Sequence, residues 1–259
     1  MSRRALVLAA HGSRHEVEVN AVIRTYASRI AALGLFDEVA AAFHIGHPQL
    51  GSVIDEFDVS NIRQVTVVPV MISEGYYSEV VLPRDLVQNQ RIESYELRIR
   101  RPIGTHPSII DLLLKQAQAL ARRHGLEPAH TGLALVGHGT PLHPTSRRST
   151  EEAVGALRKL DRFGGVEAFF LVEPPGVEMV LQLLPQQNVL VLPFLIAPGP
   201  QARRNIPARL GLSDTNQTSF PIVGRTNGRI VAIDVPVGAN PAIIEVLALA
   251  AQGVEAPRS

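Results

Sequence analysis

The sequence predicts an α/β protein of two tandem halves, each a small parallel sheet flanked by helices. Short, continuously apolar segments alternate with helix-patterned segments, which is typical of parallel strands that helices cover on both faces. The first apolar segment of each half ends in the same motif, His-Gly-Ser or His-Gly-Thr, at His11 and His138. Other motifs recur in the same order, which indicates an internal duplication.

Three further motif pairs support the duplication. They are Val-Val-Pro-Val at 67–70 with Val-Leu-Pro-Phe at 191–194, Pro83 with Pro207, and Pro-Ile-Gly-Thr-His-Pro at 102–107 with Pro-Val-Gly-Ala-Asn-Pro at 236–241. The polar segment 123–131 contains Gly125 and Pro128, and is the natural linker between the halves. We therefore predict domains at 1–125 and 132–252.

Each half is predicted to alternate four strands with four helices, the strands from apolar runs and the helices from helical periodicity. In the first half the elements in order are strand 5–10, helix 14–33, strand 38–44, helix 49–57, strand 64–71, helix 79–87, strand 97–102 and helix 107–124. In the second half they are strand 132–137, helix 149–162, strand 165–172, helix 176–184, strand 188–195, helix 202–210, strand 229–236 and helix 241–252.

Composition and charge exclude several classes of protein. The 25 basic and 24 acidic residues balance, whereas a nucleic-acid-binding protein normally has a basic excess. The absence of cysteine excludes disulfides, thiolate metal sites and cysteine-held iron–sulfur clusters. The apolar run Ala5–Ala10 is too short for a secretory signal, and no run approaches the roughly 18 residues of a membrane span. We expect a cytoplasmic protein with no nucleic-acid or membrane partner.

The candidate catalytic and metal-binding residues follow the predicted strands, where open parallel sheets bind ligands. His11 and His138 end the first strand of each half, His44 and His47 follow the second strand of the first half, and Glu173 follows its counterpart. Imidazoles without thiols favour zinc, cobalt, nickel or iron, and histidine also accepts protons near neutral pH. Metal insertion into a macrocycle needs both properties. We predict His11 and His138 as catalytic residues and His11, His44, His47 and Glu173 as metal ligands.

The loops after the third strands supply the candidate substrate-binding residues. They are long, which suits them to covering a pocket, and they contain Tyr77 in the first half and Arg203 and Arg204 in the second. Arginine binds carboxylates in a bidentate fashion, so the two arginines favour an anionic substrate.

These motifs resemble the class II chelatase superfamily, specifically its sirohydrochlorin cobalt and iron chelatases in their long, tandem form. The resemblance rests on the paired His-Gly-Ser/Thr strand ends, the Val-Val-Pro-Val and Val-Leu-Pro-Phe segments, and the repeated turns at 102–107 and 236–241. It implies two flavodoxin-like, or chelatase-like, halves that face each other across a cleft in a monomer with pseudo-twofold symmetry. It also implies insertion of a divalent metal, cobalt or ferrous iron, as substrate, into a sirohydrochlorin-like tetrapyrrole for cobalamin or siroheme synthesis, without an organic cofactor. The imidazole ligands leave nickel open as a further substrate metal.

The sequence departs from the family pattern at one position of each half. Relatives usually have a second histidine in the loop after the third strand, where this chain has Tyr77 and Gln201. Two alternatives to a chelatase therefore stay open. One is a non-catalytic metal- or tetrapyrrole-binding protein, and the other is a hydrolase or transferase on the same fold.

Overall fold

The computed structural model of the chain describes residues 3–14, 17–89, 91–140, 145–212 and 219–254. Contacts between residues divide the chain into two compact units. Unit 1 comprises Met1–Ser108 and Ala242–Ser259, and unit 2 comprises Ile109–Pro241. Among the described residues, no helix has both the length and the apolar character needed to cross a membrane.

Unit 1 contains a four-stranded parallel sheet in the order β2-β1-β3-β4. Its strands are β1 (Arg3–Gly12), β2 (Glu38–Ile45), β3 (Ile62–Pro69) and β4 (Glu96–Ile99). Its first three helices are α1 (Val17–Ala31), α2 (Leu50–Glu56) and α3 (Leu82–Val87), and a π-helical turn at Tyr77–Val81 leads directly into α3. The strand order places β1 in the interior of the sheet, which matches the complete burial of Ala5 through Ala9.

Unit 2 repeats this sheet with one additional strand, in the order β6-β5-β7-β9-β8. Its strands are β5 (Thr131–Gly137), β6 (Gly165–Phe170), β7 (Asn188–Pro193), β8 (Ile222–Thr226) and β9 (Arg229–Ile233). Its helices are α4 (Ser108–Arg123), whose first residue belongs to unit 1, α5 (Thr145–Lys159), α6 (Val180–Leu183) and α7 (Ile206–Arg209). The prediction of two mainly parallel sheets flanked by helices is confirmed.

Strand β8 was not predicted, and it is antiparallel to β9. The turn between them contains Asn227 and Gly228, both with positive φ, at 50° and 76°. Two adjacent residues with positive φ are typical of the tight turn that joins antiparallel strands, and Asn-Gly is its preferred sequence. The signal for this hairpin was therefore present in the sequence.

The last helix of the chain, α8 (Ile243–Gln252), belongs to unit 1, where it packs against α1 and β3. The corresponding helix of the first sequence half, α4, belongs almost entirely to unit 2, where the side-chain amide of Gln116 donates to the carbonyl of Val235 at 2.8 Å. The compact units are thus composed differently from the continuous halves 1–125 and 132–252. Those bounds describe the sequence repeat and stay a prediction.

Candidate functional site

The rings of His11, His44 and Tyr77 lie together at the carboxyl end of the unit 1 sheet. We call them the ring cluster. The ring centroids are 5.8 Å apart for His11 and His44, 5.7 Å for His11 and Tyr77, and 5.4 Å for His44 and Tyr77. His11 lies near the end of β1, His44 near the end of the adjacent β2, and Tyr77 begins the π-helical turn beyond β3. Parallel strands therefore bring residues that are distant in sequence to one edge.

Both histidines of the ring cluster use Nδ1 for a hydrogen bond within the protein. In His11, Nδ1 lies 3.1 Å from the carbonyl oxygen of Gly12, and in His44 it lies 3.0 Å from Oδ2 of Asp85. A carbonyl and a carboxylate oxygen can only accept, so the proton of each neutral ring is on Nδ1. The Nε2 atom of each ring then has a lone pair that can bind a metal ion or accept a proton.

Gly12 fixes the backbone at the end of β1. Its φ is 73°, and a Cβ atom there would lie 2.1 Å from the carbonyl oxygen of Ile45. A side chain at this position would therefore be strained and would also collide with the neighbouring strand. The close approach of β1 and β2 keeps His11 beside His44.

Tyr77 takes part in the ring cluster as a neutral phenol. Its hydroxyl donates to the carbonyl oxygen of Ala10 at 3.3 Å. Burial raises the pKa of Tyr77 well above its usual range, and the nearby carboxylate of Asp85 raises it further. The phenolate form that would bind a metal ion is therefore disfavoured, whereas the ring can pack against a substrate. The role of Tyr77 in substrate binding stays a prediction.

His47 lies on the exposed loop that follows β2. The backbone N–H of Phe43 donates to the carbonyl oxygen of Pro48 at 2.9 Å, so the chain folds back between these residues. Within the part of the chain that the structure describes, no three histidine, aspartate or glutamate side chains form a group that could hold a metal ion. His47 therefore does not form a three-ligand group with His11 and His44 in the structure, and its role as a metal ligand stays a prediction.

His138 in unit 2 repeats the local geometry of His11 but lacks its neighbours. Its Nδ1 lies 2.7 Å from the carbonyl oxygen of Gly139. The register that pairs Ala10 with Phe43 in unit 1 pairs Gly137 with Phe170 in unit 2. Leu171 consequently occupies the position of His44, and Gln201 begins the π-helical turn that Tyr77 begins in unit 1.

Glu173 holds the loop that follows His138. Its Oε1 accepts a hydrogen bond from the backbone N–H of Thr140 at 3.0 Å, and its Oε2 lies 3.4 Å from Nη1 of Arg147. The side chain is 11 % exposed, and a Cβ atom on Gly139 would lie 2.5 Å from Oε1. These contacts give the carboxylate a structural role, and metal binding by Glu173 stays a prediction.

Arg203 and Arg204 lie on the exposed π-helical turn Gln201–Asn205 that precedes α7. The Nε atom of Arg203 donates to the carbonyl oxygen of Pro198 at 2.7 Å, and its guanidinium lies 5.7 Å from the centroid of the Phe220 ring. Both arginines follow β7 in the chain, and their role in binding an anionic substrate stays a prediction.

Sequence reasoning missed Asp85, on α3, which contacts His44. The signal was nonetheless present, because extending the match of Pro83 with Pro207 by two residues aligns Asp85 with Arg209. Arg209 lies at the corresponding place of unit 2, where its Nη1 donates to the carbonyl oxygen of Leu171 at 2.7 Å. The two repeats thus have opposite charges at the carboxyl end of the second strand, beside His44 of β2 in unit 1 and beside Leu171, which follows β6, in unit 2.

The family model of CbiX matches the chain twice, at residues 5–120 and 132–252. A probable sirohydrochlorin cobaltochelatase of Halobacterium salinarum is 28% identical over 227 residues, which cover 78% of this chain and 75% of that protein.

The following three are among the solved structures that share the fold. A multi-domain Deinococcus radiodurans protein, described as similar to chelatases with two additional novel domains, has 27% identity and a TM-score of 0.78. The alignment covers all of this chain, which spans 56% of the length of that structure. A CbiX described as the terminal enzyme of siroheme biosynthesis in denitrifying bacteria has 19% identity and a TM-score of 0.73, with 97% and 99% of the chains covered. The cobalt complex of the sirohydrochlorin chelatase SirB from Bacillus subtilis subspecies spizizenii has 15% identity and a TM-score of 0.71, with 96% and 94% covered.

Proposed function

The chain belongs to the CbiX family, and we propose that it inserts a divalent metal ion, cobalt or ferrous iron, into a sirohydrochlorin-like tetrapyrrole. The observation that carries the proposal is the side-by-side placement of His11 and His44, each with Nδ1 engaged and Nε2 available. The relative from Halobacterium salinarum is a probable sirohydrochlorin cobaltochelatase, which supports the same reaction.

The reaction requires a metal-binding group and a proton acceptor. A divalent ion replaces two pyrrole protons, so two N–H bonds break and both protons leave while the metal–nitrogen bonds form. In the proposal, Nε2 of His11 and Nε2 of His44 bind the incoming ion, and the same atoms accept the protons once the macrocycle takes the metal. Two protein ligands leave most of the coordination sphere to water and to the macrocycle, which suits an ion that is substrate and must depart.

Unit 1 is the proposed site of metal transfer. His138 stays a candidate catalytic residue by its position in the repeat, but its environment provides no second imidazole at Leu171. We propose that Arg203 and Arg204 bind carboxylate groups of the tetrapyrrole, and that Tyr77 packs against the macrocycle.

One observation favours a second function, that of a metal or tetrapyrrole carrier. Tyr77 is neutral where the family usually has a second histidine, and the described residues hold no group of three ligands. A carrier would bind the ion through His11 and His44 without accelerating insertion.

The deciding experiment mixes the purified protein with sirohydrochlorin and Co²⁺ or Fe²⁺ without oxygen and follows the absorbance of the macrocycle. We expect metal insertion to be faster than in the metal-only control. An unchanged rate would contradict the chelatase proposal. Titration of wild type and His11→Ala with Co²⁺ would then test the carrier, because equal affinities would remove His11 from the metal site.

A further inference from the structure

Asp85 is held by contacts to both of its carboxylate oxygens. Oδ2 accepts from Nδ1 of His44 at 3.0 Å, and Oδ1 accepts from Nη2 and Nε of Arg84 at 3.0 and 3.2 Å. The side chain of Asp85 is 23% exposed and that of Arg84 is 51% exposed. The carboxylate therefore faces His44 from a partly buried position, and its other oxygen pairs with the more exposed Arg84.

The contact determines which nitrogen of His44 is available. An imidazole that donates from Nδ1 to a carboxylate has a fixed tautomer and a fixed ring plane, and its Nε2 becomes a better ligand. His11 achieves the same tautomer through the backbone carbonyl of Gly12. In His44 the tautomer depends on the side chain of Asp85, so a substitution of Asp85 can test it.

Unit 2 has no imidazole at the position that corresponds to His44, and the residue that corresponds to Asp85 differs as well. Leu171 replaces His44 there, and Arg209 replaces Asp85. The arginine donates to the Leu171 carbonyl oxygen at 2.7 Å, and its Nε donates to Oε2 of Glu178 at 2.9 Å. Unit 1 thus has the carboxylate of Asp85 where the imidazole of His44 needs a hydrogen-bond acceptor. Unit 2 has the guanidinium of Arg209 where only the backbone carbonyl of Leu171 needs a donor.

We propose that Asp85 is a positioning residue that holds His44 with its proton on Nδ1 and presents Nε2 to the substrate metal ion. The inference rests on the proposed function as far as the metal is concerned. The statement about the tautomer concerns the metal-free protein and is independent of that function.

The test compares wild type with Asp85→Asn, and uses Asp55→Asn as the matched control. Asp55 lines the same pocket of about 870 Å³ as His44 and Asp85, but its Oδ1 accepts from Asn89 at 3.1 Å. Long-range ¹H–¹⁵N NMR of the metal-free proteins at about pH 8, above the ordinary pKa of histidine, reports the tautomer of His44. We expect the Nδ1–H form in wild type and Asp55→Asn, and a mixture of tautomers in Asp85→Asn.

Metal affinity provides the second measurement. Loss of an outer-shell partner costs roughly 10- to 100-fold in metal affinity, so Co²⁺ titration of Asp85→Asn should show a loss of this size, with the KM for the tetrapyrrole unchanged. Circular dichroism checks that the variant is folded. An Nε2–H tautomer of His44 in wild type would overturn the proposal without any variant, as would wild-type Co²⁺ affinity in folded Asp85→Asn. Failure of wild type itself to bind Co²⁺ or to insert metal would instead contradict the proposed function.

Discussion

At the carboxyl end of the second strand of its sheet, unit 1 has His44 beside Asp85, whereas unit 2 has Leu171 beside Arg209. The backbones around these pairs correspond closely. In both units the N–H of the preceding phenylalanine donates at 2.9 Å to the carbonyl oxygen of the proline five residues later, in the pairs Phe43–Pro48 and Phe170–Pro175. The two units therefore share the backbone geometry at this place but differ in residue type at two contacting positions, His44 or Leu171 and Asp85 or Arg209. The comparison shows that a repeated histidine motif does not by itself make two equivalent sites.

The largest expected effect is the loss of metal-insertion rate on replacing His11, compared with replacing His138. Removal of a proton acceptor that works in the transition state costs about 10²- to 10⁴-fold in rate, so His11→Ala should lower the kcat of metal insertion by that amount. His138→Ala is the matched control and should change the rate less, because among the described residues Leu171 takes the place that His44 has beside His11. The measurement is the initial rate of the absorbance change with sirohydrochlorin and Co²⁺. Equal losses in both variants would show that the two units contribute alike.

Replacing His44 with leucine, the residue at the corresponding position 171 of unit 2, tests whether His44 is the second metal ligand of unit 1. His44→Leu removes one of two imidazoles, and Co²⁺ affinity should fall by at least the 10- to 100-fold that loss of an outer-shell partner costs. Isothermal titration with Co²⁺ measures the effect. His130→Leu removes an exposed imidazole from the turn before β5 and serves as the control. Wild-type affinity in His44→Leu would exclude His44 from the metal site.

The glycines that follow the two motif histidines should differ in their contribution to stability. Alanine is strained at both positions, because φ is 73° at Gly12 and 69° at Gly139. At Gly12 the new Cβ would also meet the backbone oxygen of Ile45, whereas at Gly139 it would meet the side chain of Glu173, which can move. We expect Gly12→Ala to lower the free energy of unfolding by at least about 2 kcal/mol, and Gly139→Ala by less. Urea unfolding followed by circular dichroism measures both free energies. A larger loss in Gly139→Ala than in Gly12→Ala would contradict the prediction.

The smallest expected effect concerns the positive charge of unit 2. Exposed ion pairs contribute about 0.2–1 kcal/mol each, so loss of two in the double variant Arg203→Gln/Arg204→Gln should raise the KM for the tetrapyrrole by roughly 2- to 30-fold, with kcat unchanged. Arg122→Gln/Arg123→Gln, in the last turn of α4, removes the same charge elsewhere. If both double variants raise KM equally, the effect is one of net charge and these two arginines do not contact the substrate.

Several features of the site were predictable because they depend on local pattern. Apolar runs identified the buried strands, and a parallel sheet collects the carboxyl ends of its strands at one edge. The placement of His11 and His44 at that edge follows from these two facts. The hairpin at Asn227 and Gly228 was also encoded locally, although it was not predicted.

Other features depend on packing between distant elements and could not be predicted. His47 lies three residues from His44, but the chain folds back between Phe43 and Pro48, and His47 completes no ligand group there. Glu173 contacts Thr140 and Arg147 in the structure, and these contacts were not predicted, whereas its role as a metal ligand stays a prediction. No local pattern distinguishes a carboxylate that faces a metal from one that holds a loop.

The sequence by itself determined the duplication, the alternation of strands and helices, and the histidines at the ends of the first strands, because each is a matter of short-range pattern. Only the tertiary structure decided that α8 packs in unit 1, and that Asp85 of α3 reaches His44 of β2. The physical reason is that hydrophobic periodicity fixes which face of an element is buried. Which polar side chain contacts another depends instead on how far along its sheet a helix packs, as with Asp85 and His44.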